Sequence, residues 1–230
     1  LPMKILIACE HSGVVRDAFI KRGHDAWSCD ILDTDSPGPH LKCDVTDILA
    51  DNWDMMIGHP PCTHLASSGA KHFAQKRADG RQQEALAFVQ LLMGAPIKRI
   101  AIENPVGIIS SEIRRPDQIV DMWWFGEEAQ KKTCLWLKGL PKLYATNPIG
   151  KTYSCRCGNN FSQYFGELGC PSCKGASGKA VLGYGHRVIT SGGRVLPKGD
   201  NPPPRPDRGN KRSRPLQGLA DAMAGPWGGT

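Results

Sequence analysis

Short apolar runs alternate with longer amphipathic stretches along the first two thirds of the chain, and turn residues separate them. Lys4–Cys9 is apolar after its first residue, the pattern of a short strand buried on both faces. Glu10-His11-Ser12-Gly13 makes a turn. Val14–Arg22 then puts Val15, Ala18 and Phe19 on one face of a helix, which Gly23-His24 ends. Asp25–Asp30 gives a second strand that closes on an acid. Strand, tight turn, helix, strand is a βαβ unit, so a parallel sheet is expected.

The alternation continues. His40–Asp44 is a short strand candidate, and Trp53–Gly58 is a stronger one that runs into His59-Pro60-Pro61-Cys62. Gln82–Met93 has helical spacing, with Leu86, Val89, Leu92 and Met93 on its apolar side. Arg99–Pro105 is a further strand stopped by proline, and Thr133–Leu137 a later one. After Pro148 the composition turns to glycine and polar residues. A last helix is expected over Leu216–Ala224, ahead of Pro226-Trp227. This pattern predicts an α/β fold with a doubly wound, mostly parallel sheet over residues 3–138. A small insert spans 139–215, and 216–230 return to the core.

Charge narrows the partners. Lys plus Arg number 29 against 22 Asp plus Glu, a formal net charge of +7. A basic chain suits a polyanion, because each cation that neutralises a phosphate releases counterions; plain solubility is the bland alternative. No apolar stretch is long enough to span a bilayer. Lys4–Ala8 is too short for a secretory signal and leads into Glu10 and His11, so the cytoplasm is the expected compartment. There, nine cysteines serve as thiols and metal ligands rather than as disulfides.

The candidate chemistry lies at strand ends, where doubly wound sheets bind ligands. Asp30, ending the second strand, is placed to hold ribose hydroxyls; Asp44, ending the next, to accept from an adenine amino group. An acid in such a place is more often a helix cap. Gly58-His59-Pro60-Pro61-Cys62 is a sharper signal: the prolines stiffen the turn and present a thiol at the sheet edge. A lone cysteine there is ordinarily a small core residue. Glu103-Asn104-Pro105, ending the neighbouring strand, turns it into a constellation of nucleophile and acid facing one crevice.

The order of these motifs resembles the cytosine-C5 DNA methyltransferases, in a compact, divergent, phage-type form. Pro61-Cys62 matches their nucleophile motif, with Ser67 and Gly69 following, and Glu103-Asn104-Pro105 matches their Glu-Asn motif. Ala8–Gly13 corresponds to their cofactor loop, Asp30 and Asp44 to their strand-end acids, and Gln130–Cys134 to a later Gln-x-Arg-x-Arg motif. Ala8 stands where the family has an aromatic residue, Thr63 where it has glutamine, and Lys132 and Cys134 where it has arginines. The resemblance implies a Rossmann-like class I fold that uses S-adenosylmethionine. It assigns Ala8, Cys9, Glu10, Gly13, Asp30, Ile31, Asp44 and Pro60 to the cofactor and Cys62, Glu103, Asn104 and Lys132 to catalysis. Its substrate is cytosine flipped out of double-stranded DNA, with Ser67 on the nucleic acid; a monomer is expected.

Within the insert, Cys155, Cys157, Cys170 and Cys173 are two close pairs 12 residues apart, read as a closed, structural four-thiolate zinc site in a ribbon over 151–179. Arg156 in the ribbon, and Arg205, Arg208, Lys211 and Arg212 in the proline-rich basic segment 197–215, are candidate DNA contacts. The ribbon could equally be only a staple, and the basic run only solvated. Two other readings remain: an RNA cytosine methyltransferase, and a non-catalytic zinc-ribbon DNA binder on a decayed methyltransferase fold.

Overall fold

The computed structural model describes residues 1–127, 131–148 and 217–229 in full. It also gives the backbone of four short strands, Lys151–Ser154, Asn160–Gln163, Val188–Ile189 and Val195–Leu196. The predicted βαβ opening is present. β1 (Lys4–Ala8) leads through a turn into α1 (Val14–Ile20) and β2 (Asp25–Asp30), which lies parallel to β1 with Lys4 opposite Asp25. β3 (His40–Lys42), β4 (Met55–Gly58), α2 (Phe73–Ala78), α3 (Arg81–Met93), β5 (Arg99–Pro105), α4 (Ile109–Glu112), β6 (Gln118–Asp121) and β7 (Lys132–Lys138) follow, and α5 (Gln217–Gly228) comes last.

Seven strands form one sheet in the order β3-β2-β1-β4-β5-β7-β6. The first five are mutually parallel, and β7 runs antiparallel between β5 and β6. This is a mostly parallel sheet with helices, a Rossmann-like arrangement. The order reverses between β1 and β4, so their carboxyl ends open the crevice in which such sheets bind ligands.

Alternation along the strands builds a core on each face. Ile5, Ile7, Met55 and Ile57 pack with Phe19 of α1 and Leu219, Met223 and Trp227 of α5. Leu6, Met56, Ile100 and Ile102 pack on the other face with Val89 and Leu92 of α3 and with Trp136. Near-continuous apolar strands are what a sheet covered on both sides requires.

Two elements depart from the pattern. The last helix does not stop at Ala224 but runs to Gly228 with Pro226 inside it. Gly225 precedes that proline, and without a Cβ it escapes the clash that normally keeps a pre-proline residue out of helical conformation. The third strand is only three residues, so Asp44 lies beyond it. It caps the 3-10 turn Val45–Ile48, its carboxylate accepting from Thr46 N at 2.9 Å and Thr46 Oγ1 at 2.8 Å. The zinc cysteines Cys155, Cys157, Cys170 and Cys173, with Arg156, Arg205, Arg208, Lys211 and Arg212, lie outside the described residues. Among the described residues no group of His, Cys, Asp or Glu could hold a metal ion, and no helix is long and apolar enough to cross a membrane.

Candidate active site

The site is assembled by strand register. Gly58 pairs with Ile102, so His59, just past β4, and Glu103, within β5, stand side by side. His59 N–H still donates to Ala8 O at 2.9 Å, which fixes where its ring begins. His59 Nδ1 lies 3.3 Å from Glu103 Oε2, and the two side chains are 8% and 12% exposed. The Thr133 hydroxyl, on the antiparallel β7, reaches Glu103 Oε1 and lies 3.1 Å from Asn104 O. Both carboxylate oxygens are therefore engaged.

Burial alone would raise the Glu103 carboxyl. The hydrogen bond and charge of His59, then the Lys131 charge and the Thr133 hydroxyl, outweigh burial and hold it down to about 2. Glu103 is thus an anion at neutral pH. Its charge reaches Cys62, whose thiol is pushed up first by burial and then by Glu103, with Lys131 offsetting part of the rise.

The Cys62 turn is braced from three directions. Its carbonyl accepts from Leu65 N at 3.0 Å and Ala66 N at 2.9 Å, closing the turn on itself. The segment after β5 buttresses it: Ile108 N–H donates to Leu65 O at 3.0 Å, Ser67 N–H to Val106 O at 3.0 Å, and Ala66 bridges Gly107. Gln82 Nε2 donates to His64 O at 3.2 Å and Lys76 Nζ to Thr63 O at 2.5 Å. Asn104 Nδ2 donates to Pro60 O at 2.7 Å, so Asn104 supports the turn ahead of the thiol. The exposed Ser67 hydroxyl is held on Val106 O at 2.8 Å.

On the other side of the crevice, the cofactor candidates gather around the first turn. Cys9 has φ 59° and Gly13 φ 74°, the left-handed steps that fold the chain back into α1. Burial, then the charges of Asp30 and Asp44, push the Cys9 thiol up to about 12. Glu10 is buried and spent on the helix start: Oε1 accepts from Val15 N at 2.8 Å and Oε2 from Arg16 N at 3.2 Å. Asp30 Oδ1 accepts from Leu32 N at 3.0 Å, and Ile31 beside it is 72% exposed. Pro60, two residues past β4, is buried.

The fully buried Arg16 organises the loop over 33–39. Its guanidinium donates to Asp17 Oδ1 (2.8 Å), Ser28 Oγ (3.2 Å), Thr34 Oγ1 (3.3 Å), Ser36 Oγ (2.7 Å), Ser36 O (3.3 Å) and Pro37 O (3.1 Å). His11 stands between Asp30 and Asp35, with ring-nitrogen distances of 4.0 and 3.5 Å.

No family model matches the sequence. No curated protein matches it either. Among solved structures the chain is similar to a prophage-encoded E. coli protein described as a candidate DNA modification methyltransferase. The identity is 18% and the TM-score 0.42, over 59% of this chain and 46% of that one. The chain thus spans less than half the length of that protein.

The geometry brings Cys62, Glu103 and Asn104 together but leaves Lys132 aside. Lys132 is exposed at the start of β7, opposite Asp121, because Thr133 takes the inward position and strand side chains alternate. Its neighbour Lys131 is the lysine whose charge acts on both Glu103 and Cys62. Sequence reasoning missed His59, Lys131, Thr133 and Arg16. His59 had a usable signal, as the residue after a strand that precedes the acid's strand in the sheet; the others depend on β7 and the loop packing.

Proposed function

We propose that this chain is an S-adenosylmethionine-dependent methyltransferase that methylates carbon 5 of cytosine in DNA. The observation that carries the reading is the placement of Cys62 on a braced turn within reach of the charge of Glu103, an acid whose two oxygens are both held. Cytosine C5 is a weak nucleophile. Addition of the Cys62 thiolate to C6 makes an enamine whose negative charge spreads to C5 and N3; a proton taken up at N3 neutralises it, and the Glu103 carboxylate accepts a hydrogen bond from that N3–H. C5 would then take the methyl group as its bond to the donor's sulfonium sulfur breaks and a thioether leaves; a base takes the C5 proton, the electron pair of that C–H bond expels the thiolate, and N3 gives up its proton. Asn104 holds the Pro60 carbonyl and with it the turn.

S-adenosylmethionine, when bound, supplies the methyl group. The crevice suits it: an acid at the end of β2, an exposed apolar side chain beside it at Ile31, and a left-handed turn at Cys9–Gly13. Asp30 and Ile31 would hold the nucleoside, and the backbone from Ala8 to Gly13 the rest. Asp44 is turned to Thr46 and has a lesser part.

The four insert cysteines make a fitting donor set for one structural zinc, and metal analysis of protein purified without chelator should find one per chain. A recognition element this small reads few base edges, so the site should span on the order of two to four base pairs. Bisulfite sequencing of DNA from cells expressing the chain tests base and context together. Cys62→Ser should abolish methylation and leave the fold intact; methylation within a few-fold of the parent would sink the assignment. Transfer to DNA and RNA side by side decides the substrate class.

A further inference from the structure

The segment that continues the nucleophile turn carries a charge pattern the chemistry does not use. Between Asp54 and Asp79 the chain holds no acid, and Cys62 lies within that stretch. The stretch leaves β4 at its carboxyl end, and Ser67 N–H on Val106 O keeps it against the residues that follow β5. It therefore runs along the rim of the crevice. Thr63, Ser67, Ser68, Lys71 and Arg77 are exposed on it. Neither Lys71 nor Arg77 forms an ion pair among the described residues. For exposed cations that is ordinary. Lys76 is not exposed: 9% of its surface meets solvent. Its Nζ donates to Thr63 O at 2.5 Å, and a Cβ at Gly69 would come to 3.3 Å from it, so it lies just under the 63–69 segment. An ammonium has three donors, and a buried charge is normally paired with an opposite one. Lys76 has no such partner among the described residues. The next acids along the chain do not supply it: Asp79 is held by Arg81 Nε at 2.9 Å, and Glu84 is exposed on α3.

A buried cation without a counter-charge, behind a surface that shows two more cations and no acid, calls for an anion from outside the chain. We propose that the 63–77 face seats the phosphodiester backbone of DNA beside the Cys62 turn, with Lys71 and Arg77 on phosphates and Lys76 beneath them. Lysine, arginine, serine and threonine are the side chains that make such contacts. They are spread over two successive short helical turns, Ser67–His72 and Phe73–Ala78, which suits a run of phosphates. Contacts of this kind set register and orientation without reading sequence. The face would therefore align the strand that carries the reacting base, while discrimination of bases is left to other parts of the chain. The choice of DNA rests on the function proposed above; the placement of the anion does not.

The test is binding of the full chain to a fluorescent duplex of about 20 base pairs, followed by anisotropy against salt concentration. Each phosphate contact contributes about 0.9 to the slope of log affinity on log salt, and so roughly eightfold in affinity at about 0.1 M salt. Lys71→Gln with Arg77→Gln should make the slope shallower by about 1.8 and weaken binding by roughly 50-fold. Lys76→Met, which keeps the buried stem and loses the charge, should flatten it further. Lys98→Gln is the control: Lys98 is exposed ahead of β5, at the opposite edge of the sheet, and its loss should leave the slope alone. Circular dichroism checks folding, and the exposed double variant carries the test if Lys76→Met does not fold. A parental slope and affinity in the folded double variant overturn the proposal. An equal loss in Lys98→Gln overturns it, and so does a parent that does not bind DNA. A loss confined to single-stranded RNA of the same length assigns the face to RNA and overturns the choice of DNA. Slopes that change as expected, with no 5-methylcytosine in DNA treated with the parent, refute the cytosine reading alone.

Discussion

Gly107→Ala tests how closely the nucleophile turn is fitted to its support. A Cβ at Gly107 would lie 2.1 Å from Leu65 O, 2.8 Å from Leu65 C and 2.9 Å from Ala66 Cα. All three are backbone atoms, so no side chain can swing away. Ordinary contact requires the two segments to part by roughly 1 Å. The Ile108 N–H to Leu65 O bond, 3.0 Å in the parent, is stretched with them. Overpacking costs about 1–3 kcal/mol and the weakened bond about 1 kcal/mol more, together roughly 2–4 kcal/mol. For a chain of this size that lowers the midpoint of thermal unfolding by roughly 5–15 °C. Leu65 is three residues from Cys62, and a 1 Å misplacement of a reacting group slows a reaction by about 100-fold. Circular dichroism melts give the first quantity, and methyl transfer to DNA at a temperature where the variant is folded gives the second. Gly80→Ala is the control: it has φ +83° but nothing within 4 Å, so it pays the backbone strain without touching the turn. A Gly107→Ala protein that melts within a degree of the parent and transfers methyl within threefold of it would refute the fit described here.

Arg16→Met removes the donor behind six hydrogen bonds while keeping much of the buried volume. It should lower stability by about 2–4 kcal/mol, less than the loss of a fully buried ion pair because Asp17 is half exposed and keeps its water. Amide exchange over residues 33–39 should speed up, and denaturant titration within 1 kcal/mol of the parent would count against the network. Glu103, held down to about 2 from an ordinary 4.5, stabilises the fold above pH 4.5, and about 3 kcal/mol is lost as the pH falls toward 2. Acid unfolding of Glu103→Gln should lack that slope; equal slopes would contradict the assignment. Asn104→Ala leaves the Pro60 carbonyl buried without its donor, so a loss of about 1–3 kcal/mol and slower methyl transfer are expected, measured by thermal melts and initial rates.

The central strands were legible because both faces of the sheet are covered, which leaves runs such as Ile5-Leu6-Ile7 and Met55-Met56-Ile57 uninterrupted. The strand Gln118–Asp121 gave no such run. It is a sheet edge, with Val120 buried and Ile119 48% exposed. Segment 67–78 has few apolar residues, so its helical turns, held by backbone hydrogen bonds and by contact of Phe73–Ala78 with α3, left no periodic trace. Cys62 and Glu103 could be read as strand-end residues. Thr133 could not, because its place beside Glu103 requires β7 to run antiparallel against β5, which no local pattern records. The same strand sets the outward place of Lys132: alternation turns inward Thr133, the residue next to it.

The loop that leads from Asp30 to β3 is fastened by a side chain from α1, by Asp35 N–H on His11 O and by Lys42 on Asp33, rather than by strand pairing. Three of the six acceptors on Arg16 belong to Ser36 and Pro37, and two of those are main-chain carbonyls, which every amino acid supplies. The identity of most loop residues is therefore free to drift while the anchor stays put. For protein engineering, the positions of 31–38 other than Thr34, Ser36 and Gly38 form an exchangeable set: under the function proposed above, re-sequencing them could accommodate cofactor analogues with altered nucleosides while the sheet and the nucleophile turn are left alone.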